Sequence, residues 1–165
     1  MDIRVSRFKA GKKPNGFTLV ELIVVLLLVS VLAVVGLSRF TRQSAFSEWG
    51  FTEEVTTALR YAQKLAMASG CDTAVAVNSG GFQLRQRAGC KTGAFDVLVM
   101  LPGGTGDYAG MTPSGTTVSP LHLYFDATGR PRNSGTGTLL TLVSSISIGA
   151  ATILVEPETG YVHRS

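Results

Sequence analysis

Histidine and cysteine are scarce in this chain of 165 residues, which holds two of each. Cys71 and Cys90 form no CxxC pair, and with only His122 and His163 to join them a zinc cluster lacks ligands at the usual spacings. No glycine-rich phosphate loop and no HExxH occurs, and neither histidine has a readable nucleophile or metal partner. The acids are scattered singly apart from the adjacent Glu53 and Glu54. These absences argue against an enzyme, and no cofactor is expected. There is also no internal repeat.

Excess positive charge is missing from most of the chain as well. The formal net charge of +4 suggests a basic protein that seeks nucleic acid or anionic lipid. Yet Arg4, Arg7, Lys9, Lys12 and Lys13, set against Asp2, account for all of it. From position 17 onward ten basic residues balance ten acidic ones, so the charge describes the first sixteen residues and not the partners of the rest.

What is abundant is apolar length. From Phe17 to Leu37 the polarity is broken only by Thr18, Glu21 and Ser30. As a helix of about 1.5 Å per residue this run reaches about 30 Å, one bilayer core. A short basic stretch before such a run stays on the cytoplasmic side while the run enters the membrane. A cleavable secretory signal is shorter, with an apolar core of roughly 7 to 15 residues. A buried core helix does not fit a run that is apolar on every face. A plain signal anchor explains the length but not Glu21, whose burial in lipid costs about 2.5 to 3.5 kcal/mol on insertion scales.

The stretch "GFTLVEL", Gly16 to Leu22, resembles the type IV prepilin signature. The resemblance implies that a prepilin peptidase cuts after Gly16 and methylates the new amine of Phe17. Glu21 is then the fifth residue of the mature chain, as in such families. An acid inside hydrocarbon needs a positive partner to offset its desolvation. In a filament, the amine of a neighbouring subunit supplies one, and Glu21 becomes a mark of axial register for assembly. Ser38 stands where many major pilins carry proline, so local helix melting there is not implied.

The helical pattern continues past the apolar run. "TEEVTTALRYAQKLAMASG" places Val55, Ala58, Leu59, Ala62, Leu65 and Ala66 on one face, the expected seat of a sheet. Glu53 and Glu54 early and Arg60 and Lys64 late complement the helix dipole. Gly70 is a natural C-terminal stop, and Gly50 is expected to bend or break the helix between its halves. Beyond Gly70, "TAVAV" and "FQLRQR" flank "NSGG" as a hairpin, and "DVLVML", "LHLYF", "TLLTLV" and "ATILVE" read as further strands between glycine-rich loops.

The fold class expected is α+β: a long N-terminal helix, membrane-spanning in its first half, on a C-terminal antiparallel sheet domain. The divisions are a cleaved basic leader over 1–16, a transmembrane and assembly segment over 17–37, an amphipathic continuation over 38–70, and a periplasmic β-rich domain over 71–165. If that domain faces the periplasm, a Cys71–Cys90 disulfide is the expected state, against the alternative of two buried thiols. It closes about twenty residues, worth roughly 3 kcal/mol in the chain-entropy account. "FDATGRPRNSGTG" puts Arg130 and Arg132 on a turn from which both guanidinium groups reach solvent, either as a plain solvated turn, as phosphate contacts, or as partners for an acidic neighbouring subunit.

With the leader, "ALRYAQKLAMASG" and the ending "EPETGYVHRS", the chain resembles the GspH/FimT group of minor pilins and pseudopilins. In some DNA-uptake members of that group a GRxR motif carries DNA binding, and "GRPR" at Gly129 to Arg132 has that form. The resemblance implies a minor pilin that primes or joins a type IV or mannose-sensitive-haemagglutinin-like pilus. The alternatives are a type II secretion pseudopilin and a DNA-binding minor pilin. The partners it implies are the prepilin peptidase, other pilin or pseudopilin subunits, the inner membrane and, in the last reading, DNA. The implied location is the inner membrane in a single pass with the globular part in the periplasm, then a filament at the cell surface.

Overall fold

A computed structural model describes residues 16–165, with the side chains of 34–44 outside that description. The leader assigned to 1–16 therefore lies, except for Gly16, outside the described residues. The chain divides into two compact units, Met1–Phe40 and Thr41–Ser165.

The first element is helix α1, Leu19–Ser69, of 51 residues. Gly50 does not break it, contrary to expectation. A glycine in a helix interior costs about 1 kcal/mol relative to alanine, and the neighbours override that cost. Phe51, Thr52 and Val55 immediately beyond are buried, so packing holds the backbone helical through Gly50. The helix stops as expected at Gly70, which takes a left-handed φ of 70° and bonds its N–H to the Ala66 carbonyl at 2.9 Å.

In the second unit the stripe Val55, Ala58, Leu59, Ala62 and Ala66 is buried, with Leu65 partly so. Two threonines sit on the same buried face. Thr52 Oγ donates to the Glu48 carbonyl at 2.8 Å and Thr56 Oγ to the Thr52 carbonyl at 2.7 Å, so neither hydroxyl is left unsatisfied.

The strands are β1 Thr73–Asn78, β2 Gly81–Gln86, β3 Val97–Leu98, β4 Ala109–Met111, β5 Leu121–Phe125, β6 Pro131–Asn133, β7 Ser144–Ile148, β8 Ala151–Val155 and β9 Val162–Arg164. Six form an antiparallel sheet in the order β3-β2-β1-β5-β6, with β4 sharing the outer edge of β2 alongside β3. The other three form an antiparallel sheet in the order β7-β8-β9. Alternation selects the inward faces. Val75 and Val77 of β1, Leu84 of β2, Leu123 and Phe125 of β5, and Ile146, Ile148, Ile153 and Val155 of the smaller sheet join the helix stripe in one core.

Two strand expectations need correction, and three short strands join the sheets besides. "TLLTLV" is not a strand. The register is set by the tight turn at Gly149 (φ 55°), which pairs Ile148 with Ala151 and so recruits "SSISI", whose isoleucines point inward while Ser145 and Ser147 face outward. "DVLVML" contributes only Val97 and Leu98 to a strand. β4, β6 and β9, of three residues each, are too short to carry a periodic signal.

Polar side chains of α1 then pin the loops. Gln63 Nε2 donates both to the Gly129 carbonyl at 3.0 Å and to the Thr159 carbonyl at 2.7 Å. Arg60 donates through Nε and Nη2 to the Val162 carbonyl at 3.1 and 2.9 Å, and Glu53 holds Arg164 at 2.7 Å. Glu48 accepts from the Ala150 N–H at 3.0 Å, against the β7–β8 turn. Gly160 is confined by this arrangement. Its φ is 67°, and a Cβ there would overlap the Gly129 carbonyl oxygen and lie 2.6 Å from Gln63 Nε2.

Two glycine substitutions should therefore act in opposite directions. Gly50→Ala meets no atom within 4 Å and should stabilise by about 0.5 to 1 kcal/mol. Gly160→Ala should destabilise by about 2 kcal/mol or more. Denaturant unfolding of the detergent-solubilised full chain, followed by circular dichroism, measures both; equal midpoints for the two variants would contradict this account.

Candidate functional site

The chain enters α1 through a cap. Thr18 Oγ accepts the Glu21 N–H at 3.2 Å, and the Thr18 carbonyl accepts the Leu22 N–H at 3.2 Å. Thr18 is thus the N-cap and Glu21 the third helical residue, the T-x-x-E spacing of a capping box. A carboxylate in the first turn also complements the positive end of the helix dipole. The same acid that seemed foreign to the apolar run is thus favoured where the helix begins. Thr18 is the capping residue, and its spacing to Glu21 is the sequence signal for it.

Gly16 and Phe17 precede the helix in irregular backbone. Both are exposed, Phe17 to 81%, and nothing lies within 4 Å of where a Gly16 side chain would begin. A peptide bond in that setting is open to a hydrolase. From Leu19 to Leu32 every leucine, valine and isoleucine is exposed, on all sides of the helix. Among the described residues no helix is long and apolar enough to cross a membrane. Described side chains of the run stop at Ala33, a helical length of about 22 Å, whereas the hydrocarbon core is about 30 Å thick.

The structure joins Cys71 to Cys90, tying the end of α1 to the segment after β2. Backbone bonds flank the bridge: Asp72 N–H donates to the Cys90 carbonyl at 2.8 Å, and Arg87 N–H to the Asp72 carbonyl at 3.1 Å. Arg87 also pairs with the Asp72 carboxylate at 3.0 Å and lies over the Phe95 ring, 4.2 Å from its centroid.

The two arginines of the GRPR segment part company. Arg132 lies on β6, and its Nε donates to Asp126 Oδ2 at 2.7 Å while Nη1 donates to the Gly137 carbonyl at 3.1 Å. It does not project freely into solvent. Arg130 is exposed, and among the described residues its guanidinium donates to the Glu158 backbone carbonyl alone, at 3.4 Å. Gly129 is buried with a φ of 80°, and a Cβ there would lie 2.8 Å from Met67 Sδ. The glycine is accounted for by close packing on α1.

Asp126 organises this turn. Burial alone would push its carboxyl up, but hydrogen bonds from the Thr128 and Arg132 side chains and from the Thr128 and Arg130 N–H groups outweigh burial and hold it below the usual carboxylate range. Among the described residues no group of three His, Cys, Asp or Glu side chains is placed to hold a metal ion.

A lowered folded-state value means that this carboxylate stabilises the fold above about pH 4, the ordinary range for an unfolded aspartate. The contribution is lost as pH falls through the lower folded value. Asp126→Asn should therefore be less stable than the parent at pH 7, with the difference shrinking as pH is lowered from about 5 toward about 2. Unfolding midpoints across that range provide the check, and a gap independent of pH would contradict it.

Residues 11–37 match the model of the prokaryotic N-terminal methylation motif. No curated protein and no solved structure matches the chain. The motif match supports a type IV prepilin-like protein, a structural subunit that is processed by a prepilin peptidase and assembles with other pilins.

Proposed function

We propose that this chain is a minor pilin or pseudopilin, cut after Gly16, methylated on Phe17, and built into a type IV-like filament by its N-terminal helix. The observation that carries this reading is the coincidence of the methylation motif with an exposed junction and a capped helix that is apolar all round. A helix with that surface is not stable in water and needs lipid or other helices around it. In our reading lipid covers residues 17–37 before assembly and neighbouring helices do so afterwards, with 71–165 in the periplasm. Glu21 accepts the amine of a neighbouring Phe17, which both neutralises the acid and sets the axial step. A place in a pilus or in a type II secretion pseudopilus follows equally from this chemistry, and covalent capture of neighbouring subunits in the native host separates the two.

The GspH/FimT-like DNA-binding reading has less support from the turn. Arg132 is already satisfied by Asp126, which leaves Arg130 as the exposed cation of the pair. A gel shift at low salt, with Arg130→Ala and Arg132→Ala together as control, tests it; unchanged mobility of DNA with the parent chain removes it.

Two outcomes are expected on co-expression with a prepilin peptidase. The parent chain should lose residues 1–16 and gain one methyl group, as read by mass spectrometry, whereas Gly16→Val should stay uncut. Glu21→Ala should still be cut but should enter filaments about tenfold less, the factor that about 1.4 kcal/mol commands. Normal incorporation of Glu21→Ala would refute its role in register.

A further inference from the structure

In the second unit a cleft of about 440 Å3 opens between α1 and β4, walled by Glu53, Glu54, Thr57, Phe82, Leu101 and Tyr108. Both charged residues of this wall are carboxylates, adjacent in the chain on one helix. Two like charges held so close favour a cation beside them. Glu53 already takes one, the guanidinium of Arg164 at 2.7 Å, which shows the kind of group the rim accepts. Glu54 is exposed and makes no ion pair among the described residues.

The aromatic side of the cleft is fixed by its neighbours. The Tyr108 N–H donates to the Val99 carbonyl at 2.6 Å, and the Tyr108 carbonyl accepts the Leu84 N–H at 3.0 Å, so backbone ties this residue on both sides. Its ring stacks on Tyr61, with centroids 4.9 Å apart, and meets Phe82 at 6.3 Å. Phe82 in turn packs on Phe51 at 6.0 Å and against the bare backbone of Gly110, where a Cβ would overlap its ring. The walls are thus in place before a ligand arrives, which lowers the ordering cost of binding. Burial, and then Tyr61 and Glu54, push the Tyr108 hydroxyl above its ordinary value, so it stays neutral at neutral pH within the field of Glu54.

We propose that the cleft of Glu54 and Tyr108 binds a small organic cation as a free ligand, a guanidinium carried on a short alkyl stem. The guanidinium donates to the Glu54 carboxylate beside the Tyr108 ring, and the stem lies along Phe82 and Leu101. A guanidinium suits this place better than an ammonium does. It makes two parallel hydrogen bonds to one carboxylate, stacks on an aromatic face and is more weakly hydrated. A carboxylate on the ligand is disfavoured, because Glu53 and Glu54 both stand at the rim. The cleft lies wholly within Thr41–Ser165, so binding there does not depend on cleavage after Gly16 or on the filament reading.

The test is a saturation-transfer NMR titration of the full chain in a neutral detergent at low salt, where exposed charges are least screened. The probes are agmatine, putrescine and arginine. Agmatine, a guanidinium on a butyl stem with no carboxylate, should bind with a Kd of about 1 mM or tighter. Putrescine, which has an ammonium in place of the guanidinium, and arginine, which adds a carboxylate, should each bind about fivefold more weakly. Glu54→Gln should weaken agmatine about tenfold and Tyr108→Leu about threefold. Glu158→Gln, at an exposed carboxylate outside the cleft, should change nothing. Arg164→Gln, which frees Glu53 for the ligand, should tighten binding, a gain that damage to the fold does not produce. Equal affinities for agmatine and putrescine, equal losses at Glu54 and Glu158, no gain from Arg164→Gln, or no saturation by about 10 mM would each overturn the proposal.

Discussion

Everything in the second unit depends on one apolar stripe of α1 having something to lie against. Val55, Ala58, Leu59, Ala62 and Ala66 are buried, and the stripe is narrow because three of the five are alanine. Small residues let strands approach the helix closely, while Leu59 and Val55 fill the remaining volume beside Phe125, Leu84 and Ile153. Burial of side chains of this size contributes about 1.5 to 3 kcal/mol each for the larger ones. That is enough to keep the backbone helical through Gly50, where local propensity favours a break.

The same helix carries the polar contacts that place the loops. Gln63 reaches two carbonyls from different turns, those of Gly129 and Thr159, and Arg60 caps that of Val162. Because one amide serves both turns, they must pass close to each other, and Gly160 is where the chain gives way. The C-terminal strand is consequently held along the helix by Glu53, Arg60 and Gln63 as well as by its pairing with β8.

This arrangement changes how the "GRPR" segment is understood. In sequence it looks like one functional motif with two equivalent arginines. In space its glycine answers to Met67, its second arginine to Asp126, and only its first arginine is left for an outside partner. The N-terminal segment shows the converse. Gly16, Phe17 and Glu21 belong to a motif defined by local spacing, and the structure adds to it a helix cap at Thr18.

The amino-acid order by itself determined the features that rest on local or periodic signals. These are the apolar run with its acid, the methylation-type junction, the helix stripe with its stop at Gly70, and the β1–β2 hairpin around "NSGG". Only the tertiary structure decided the rest. It chose "SSISI" over "TLLTLV", because the Gly149 turn and pairing with β8 set which residues alternate inward. It also recruited three-residue strands whose existence comes from their neighbours and not from their own composition. The division of labour between Arg130 and Arg132 and the cleft of Glu54 with Tyr108 have the same origin. The cleft joins residues far apart in the chain, whereas Arg132 meets Asp126, only six residues away, because β6 pairs back on β5.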